Sequence, residues 1–358
     1  MNFRQPVAFL IHPRVNVAAD LAQLFHPALA RIPNSVYAQA LRRLPIPPLV
    51  TGHIRYTDAP DTLAAHLITV PLTAAQLLHL PRPKVQAKLE DAVSRARDLG
   101  ARVVGLGGLN APATRGGATL THRTDIGVTN GNAFTAAMTL QGVHQALQYT
   151  PDPDRAHIAL VGATGSVGAC LTRLLARRHR GRLTLIARNP ERLHALRDDI
   201  AASGADAHAS TTMIDARGAD LVVLLTSATE ALLRSEHLKP HAVVLDDTQP
   251  RNTDAALLHT RPDVTIIDGG LVEIPGMRMR GSIGLPRGVA YACLAETLLL
   301  GLSGHAGHFS IGASSVDQAE HMLQLARAHA DLGFHIAAPH SFSRPLTVTP
   351  HARQPVLA

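Results

Sequence analysis

HIALVGATGSVGACLTRLLARRHRGRLTLIARNPER, from His157 to Arg192, is the stretch that decides the fold. It reads as strand, glycine turn, helix and second strand. Ile158–Val161 and Leu183–Ile186 are the short apolar strands, and Gly162-Ala163-Thr164-Gly165-Ser166-Val167-Gly168 is the turn. Between them Val167, Cys170, Leu171, Leu174 and Leu175 recur at the spacing of one buried helix face. The pattern G-x-x-G-x-x-G is a variant of the dinucleotide fingerprint, and its setting between a strand and a helix is the context that gives such a motif meaning. A tight turn lets backbone approach a pyrophosphate, while the helix N-terminus beyond offers unpaired N–H groups and a positive dipole end. Gly162, Thr164, Gly165, Ser166, Val167 and Gly168 are therefore candidate cofactor-binding residues.

The end of the second strand selects among cofactors. An NAD site places Asp or Glu there, to accept from the ribose hydroxyls. This chain has Arg188-Asn189 instead, with Arg192 one helical turn on. Two guanidiniums and an amide suit a 2′-phosphate through charge-assisted hydrogen bonds, so NADPH is the expected cofactor. Further on, Leu221–Leu225, Ala242–Leu245 and Val264–Ile267 read as buried parallel strands. They end in Thr226-Ser227, Asp246-Asp247 and Gly269-Gly270. In an open α/β sheet such ends face the ligand crevice, which makes Thr226, Ser227, Gly269 and Gly270 candidates for the nicotinamide side.

Residues 1–150 show α/β alternation of their own. Val7–Ile11, Leu67–Val70 and Arg102–Leu106 read as strands, Val17–Phe25, Lys84–Leu99 and Thr135–Gln148 as helices, and residues 26–60 are Pro-rich and unassigned. Tyr149-Thr150-Pro151-Asp152-Pro153-Asp154 reads as a linker. Residues 288–302 are apolar nearly all round and read as a buried helix, Val316–Leu332 reads as an amphipathic one, and a mobile tail is expected from Pro339. The expected fold is thus α/β: a Rossmann-type doubly wound parallel sheet at 151–288, an N-terminal α/β substrate domain at 1–150, C-terminal helices at 289–338 packing back on the cleft, and a tail at 339–358.

Composition narrows the classes. A hydrophobic share of 46% fits a globular chain. No apolar run approaches a membrane span and the start lacks a secretory core, so a cytoplasmic setting is expected. The formal charge is +7, with Arg173, Arg177, Arg178, Arg180 and Arg182 as the densest cluster. Such a surface suits an acidic partner or peripheral membrane contact. Nucleic acid is disfavoured, since aromatics are 3% and Trp is absent. The two cysteines, Cys170 and Cys293, give neither a disulfide framework nor a zinc spacing, and His305 with His308 lacks a third ligand, so no metal site is expected.

Cys293 is the one candidate nucleophile. It follows Pro286-Arg287-Gly288 near a helix N-terminus, where the dipole favours thiolate, whereas an ionised Glu296 three residues on would oppose it. Cys170, on the apolar face of the glycine-turn helix, reads as core.

The chain resembles the long-chain acyl-(acyl-carrier-protein) reductases that make fatty aldehydes. The resemblance rests on Phe9–His12, Leu106–Leu109, Gly131-Asn132 with Thr135-Ala136, VGATGSVG, ARNPERL, Asp268–Glu273, AYACLAETLLL around Cys293, and His308–Gly312. It implies that Cys293 attacks the thioester of an acidic acyl carrier protein or of CoA, that NADPH reduces the acyl-enzyme to aldehyde, and that magnesium takes part. Where relatives carry His-Thr-Ala-Tyr this chain has Phe134-Thr135-Ala136-Ala137, and Asn110-Ala111-Pro112-Ala113 also departs from the pattern, so the acyl group is left open. Two other readings compete. One is a shikimate-dehydrogenase-like NADPH oxidoreductase acting on an alcohol or ketone, with Lys84 and Asp125 as its acid–base pair. The other is a non-catalytic NADPH-binding protein. The cofactor reading predicts that Arg188→Asp raises the KM for NADPH far more than that for NADH in steady-state kinetics. Equal effects remove the assignment.

Overall fold

A computed structural model describes residues 6–13, 17–18, 22, 26–228 and 230–347. The chain divides into two compact units. The first comprises residues 1–134, 272–314 and 320–335, and the second 135–271, 315–319 and 336–358.

The first unit is built on β1 (Val7–Ile11), β2 (Leu49–Tyr56), β3 (Ala65–Thr69), β4 (Val103–Leu106) and β5 (Gly127–Thr129), with helices α1 (Asn34–Arg43), α2 (Ala74–His79) and α3 (Arg82–Asp98). The sheet order is Met277–Arg280, β2, β3, β1, β4, β5. β3, β1, β4 and β5 run parallel, β2 pairs antiparallel with β3, and Met277–Arg280 pairs antiparallel with β2. Helix α2 starts at a reciprocal cap: Thr73 Oγ1 accepts from Gln76 N–H at 3.3 Å, and Gln76 Oε1 accepts from Thr73 N–H at 3.1 Å. In α3 the residues Val85, Leu89, Ala92, Val93 and Ala96 keep helical spacing and are buried, in one core with Leu10, Ile68 and Val104. The Pro-rich stretch 26–60 holds α1 and β2. Of the helix expected at Val17–Phe25, Val17, Ala18 and Ala22 are helical and the rest lies outside the described residues.

The second unit continues α4 (Asn132–Leu147) from Thr135 onward. It alternates β6 (Ile158–Val161), α5 (Ser166–Ala176), β7 (Leu183–Ile186), α6 (Pro190–Ala201), β8 (Ala207–Ser210), β9 (Leu221–Leu224), β10 (Val243–Asp246) and β11 (Thr265–Asp268). The order is β11-β10-β9-β6-β7-β8, with every neighbouring pair parallel. Read from β8 this is the doubly wound order 3-2-1-4-5-6, as the sequence led us to expect. β6, β7, β9 and β10 are buried along their whole length, which explains why they read as continuous apolar runs rather than alternating ones.

Three expectations need correction. The segment 288–302 is not helical throughout: Gly288 is left-handed at φ +76°, Val289–Tyr291 is a strand, and only α7 (Ala292–Leu302) is helix. Val316–Leu332 breaks after α8 (Val316–Ala328), because His329 leaves helical geometry at φ −119°, ψ 33°. The expected tail begins as a hairpin, His340–Ser341 pairing with Arg344–Pro345, and residues 348–358 lie outside the described residues. Among the described residues no helix is long and apolar enough to cross a membrane.

Within the first unit α7 lies against β1 and β4. A Cβ on Gly105 would sit 2.0 Å from Thr297 Oγ1 and 2.8 Å from the Phe9 ring. Strand propensity would favour Val at this position, but overpacking at such a contact costs about 1–3 kcal/mol. Gly105→Val should lower the urea midpoint accordingly. A midpoint at or above that of the parent would contradict the packing.

Candidate active site

The glycine turn has the construction that a dinucleotide requires. Gly162 is left-handed at φ +90°, and a Cβ there would lie 2.7 Å from the Leu225 carbonyl oxygen. A Cβ on Gly168 would lie 2.3 Å from the Gly162 carbonyl oxygen. These two glycines let the turn and α5 close on the sheet. Gly165, between them, is exposed, and a Cβ there would meet nothing closer than 3.2 Å. The first N–H groups of α5 open beside it, so the residues present fit a pyrophosphate. Thr164, Ser166 and Val167 are half-buried around the same turn.

The residues expected at the 2′-phosphate take distinct positions. Arg188 is exposed. Asn189 caps α6, its Oδ1 accepting from Arg192 N–H at 2.8 Å. The Arg192 guanidinium donates to the Thr164 carbonyl at 2.8 Å, tying the start of α6 to the glycine turn. Thr226 donates its hydroxyl to Asn252 Oδ1, so it organises the loop beyond β9, and Ser227 is exposed.

Three carboxylates end β10 and β11, each in a different setting. Asp246 accepts from the N–H and hydroxyl of Thr248 at 3.1 and 2.5 Å and from those of Thr253 at 2.9 and 2.7 Å. Asp268 takes both arms of Arg251 at 2.5 and 3.1 Å, and the N–H groups of Phe342 and Ser343 at 3.1 and 2.7 Å. Among the described residues Asp247, half-buried, is met by one donor, the Thr139 hydroxyl. Burial pushes its carboxyl up to about 7, Thr139 draws it back, and the charge of Asp246 adds to the rise. A Cβ on Gly270 would sit 2.0 Å from Asp247 Oδ1, so the Gly269-Gly270 pair admits this carboxyl. Sequence pattern gave no sign of Asn252, Arg251 or Thr139, which reach these ends from loops and a helix distant in the chain.

Cys293 is the second residue of α7, in the first unit, and is half-buried. Gly131, left-handed at φ +77°, packs directly on it: a Cβ there would lie 2.3 Å from Cys293 Cβ. Three residues on, Glu296 is fully buried. Its Oε1 accepts from the Thr129 hydroxyl at 2.5 Å and its Oε2 from Phe134 N–H at 2.8 Å, beside the N–H groups of Gly131 and Ala133. Burial pushes the carboxyl up to about 7 against the pull of these donors. Glu296 thus holds the segment from β5 into the first turn of α4, the same segment that packs on the Cα and Cβ of Cys293. Cys170 is buried and donates to the Ser315 carbonyl at 3.4 Å, a core role.

Other candidates are not assembled. Lys84 donates to the Arg42 carbonyl near the start of α3. Asp125 pairs with Arg123 at 2.8 Å and with Arg97, in the last turn of α3, at 3.1 Å. About 20 Å of helix separates the α3 positions involved, and hydrogen bonds from Arg123 hold the Asp125 carboxyl well below the usual range. His308 is structural: Nδ1 accepts from Val128 N–H at 3.1 Å and Nε2 lies 3.1 Å from the Thr121 carbonyl oxygen. In the basic cluster, Arg173 pairs with Asp199 at 2.7 Å and Arg182 with Asp206 at 3.6 Å. Among the described residues no three His, Cys, Asp or Glu side chains gather to hold a metal ion.

Fold and turn together define a Rossmann-type α/β protein with a dinucleotide-binding construction. The shikimate / quinate 5-dehydrogenase family matches residues 144–268. The chain is 26% identical over 279 residues to aminotransferase PigE of Serratia sp., covering 75% of this chain and 32% of that protein. It is 28% identical over 214 residues to the long-chain acyl-(acyl-carrier-protein) reductase of Synechococcus elongatus, covering 58% of this chain and 61% of that protein. The chain therefore spans about a third and about three fifths of these two relatives. Among solved structures it is similar to the iminosuccinate reductase of Paracoccus denitrificans in complex with NAD+, with TM-score 0.32, 19% identity, and coverage of 57% of this chain and 66% of that one.

The buried Glu296 makes stability depend on pH with a definite sign. Its proton is retained in the folded chain up to about 7 but released in the unfolded chain near 4.5. The advantage of the parent over Glu296→Gln in unfolding free energy should therefore be largest below pH 4.5 and shrink up to about pH 7. His66, His144, His157 and His237, all held low chiefly by burial, pull the other way in both proteins, so the difference isolates Glu296. Urea unfolding across that range measures it. A difference that widens with pH would contradict the burial argument.

Proposed function

We propose that the chain is a nicotinamide-dependent oxidoreductase that reduces an acyl thioester, carried by an acidic acyl carrier protein or by CoA, to an aldehyde through an acyl-enzyme on Cys293. The observation that carries this reading is a half-buried cysteine in the first turn of α7, with Gly131 packed on its Cα and Cβ, in a chain that also builds a dinucleotide turn. The name of the Synechococcus relative supports it.

Gly162, Gly165, Gly168 and the first N–H groups of α5 would hold the pyrophosphate, and Arg188 with Arg192 would meet the 2′-phosphate of NADPH, which when bound would supply hydride. The Cys293 sulfur attacks the thioester carbon, the carrier thiolate leaves and takes a proton from solvent, and the acyl group stays on sulfur. After reduction at that carbon the C–S bond breaks, its electron pair returns to Cys293, and aldehyde departs.

The shikimate-dehydrogenase-like alternative draws on a family match that lies at residues 144–268. Its own acid–base pair, Lys84 with Asp125, is not brought together. Incubating the protein with acyl-carrier-protein thioesters, without NADPH, should give an acyl adduct by intact mass that Cys293→Ala abolishes. Added NADPH should then release aldehyde. An adduct that persists in Cys293→Ala, or oxidation of a hydroxy acid with the cysteine untouched, overturns the thioester reading.

A further inference from the structure

Helix α1 is amphipathic, yet none of its residues, Asn34–Arg43, is buried. Tyr37, Ala40 and Leu41 fall on one side of it and are half-buried, whereas Val36 and Arg43, seven residues apart and so on a shared face, are exposed. Hydrogen bonds from two neighbouring helices hold the segment in place. Gln76 in α2 donates to the Ala38 carbonyl at 2.7 Å. In α3, Lys84 donates to the Arg42 carbonyl and Lys88 to the Ile46 carbonyl at 2.7 Å. Tyr37 donates to the Leu29 carbonyl at 2.8 Å, which keeps the turn Pro27–Arg31 on α1. The side left to solvent is both apolar and cationic. Ile32, Val36, Leu44 and Leu49 are exposed, Val36 at 51% and Leu44 at 54%. Among the described residues the only other exposed large apolar side chains are Ile214 and Leu258, in the second unit. Exposed Arg31, Arg42 and Arg43 are interspersed with the four, and no Asp or Glu occurs from residue 26 to residue 57.

Such a patch marks a contact surface, and its charge decides the partner. A second copy docked on the same face would set arginine against arginine. An acidic protein surface would answer the arginines and leave Val36 and Leu44 against polar groups. An anionic bilayer answers both. An interfacial helix sinks its apolar face about 5–10 Å into the headgroup and acyl boundary, while its long cationic side chains stay among the phosphates. We propose that residues 27–49 dock the protein on an anionic lipid surface. Helix α1 lies in the plane of the headgroups, Val36 and Leu44 enter the acyl boundary, and Arg42 and Arg43 meet lipid phosphates. The denser basic cluster around the end of α5 is less suited, because Arg173 is paired with Asp199 and Arg182 with Asp206. Docking of this kind requires neither a cofactor nor any particular reaction.

The full chain should co-sediment with vesicles of equal parts phosphatidylglycerol and phosphatidylcholine, and not with vesicles of phosphatidylcholine alone. Raising salt from about 0.1 to about 1 M should release it, because the screening length falls from about 10 to about 3 Å. Each arginine near an anionic surface contributes about fivefold, so Arg42→Gln with Arg43→Gln should weaken vesicle binding about tenfold or more. Val36→Asn with Leu44→Asn should weaken it as well, and exposed positions such as these spare the fold. The chain contains no Trp, so Val36→Trp places a single reporter on the face, and its emission should shift to the blue on the anionic vesicles. Absence of binding to those vesicles, binding that either double substitution leaves unmoved, or an unshifted Val36→Trp emission in protein that sediments overturns the assignment. Self-association that Val36→Asn abolishes, or capture by an acidic protein, in either case without vesicle binding, gives the face to that other occupant and overturns it equally.

Discussion

In a sheet whose six strands all run parallel, every carboxyl end lies along the same margin, and whatever terminates a strand is delivered there. This constraint organises the second unit. The glycine turn after β6, the Arg188-Asn189 pair after β7, Thr226 after β9, Asp247 after β10 and Gly269 after β11 are far apart in the chain and share one edge of the sheet. The strands meet it only because they can be buried on both faces. Continuous apolar runs are thus what concentrates the polar residues at the ends.

Concentration brings carboxylates together, and each has a separate resolution. A buried charge stripped of partners costs several kcal/mol, so Asp246 is enclosed by four donors from Thr248 and Thr253, and Asp268 by the fork of Arg251 and two N–H groups. Asp247, half-buried, accepts from the Thr139 hydroxyl, and desolvation with the charge of Asp246 raises its carboxyl. The glycines after β11 belong to this arrangement. A Cβ on Gly270 would sit 2.0 Å from Asp247 Oδ1, and its backbone is left-handed at φ +64°, so both the carboxyl and the turn call for glycine there.

The sequence made the periodic parts legible and the convergent parts opaque. Apolar runs located β6, β7, β9, β10 and β11 to within a residue, because burial on both faces leaves little choice of side chain. The glycine turn was legible for the same kind of reason: three positions where a Cβ meets backbone, or where a ligand must, admit few alternatives. What escaped was the partner of each polar group. Asn189 Oδ1 caps α6 and the Thr226 hydroxyl donates to Asn252, pairings that no spacing in the sequence records. Period carries no record of which distant loop will supply Arg251 or Asn252. The start of α7 was misplaced because Val289–Tyr291 is as apolar as the helix it precedes, and only the backbone geometry of Gly288 separates them.

The first unit applies the same logic to sulfur. A helix N-terminus favours an anion by about 0.3–1 kcal/mol. Residues three apart on a helix place their Cβ atoms about 5–6 Å from one another, where a full negative charge opposes a second by about 3 kcal/mol at an effective dielectric of 20. An ionised and uncompensated Glu296 would therefore outweigh the dipole that favours a thiolate at Cys293. Two features of the fold remove that conflict. Burial keeps the neutral acid populated up to about 7, and the charge, where it forms, is shared with Thr129 and the first N–H groups of α4. Those same donors belong to the segment that carries Gly131 onto the Cα and Cβ of Cys293. The environment of the thiol is thus set less by its own helix than by the carboxyl one turn away, whose protonation is in turn decided by how completely α7 is packed against β1 and β4.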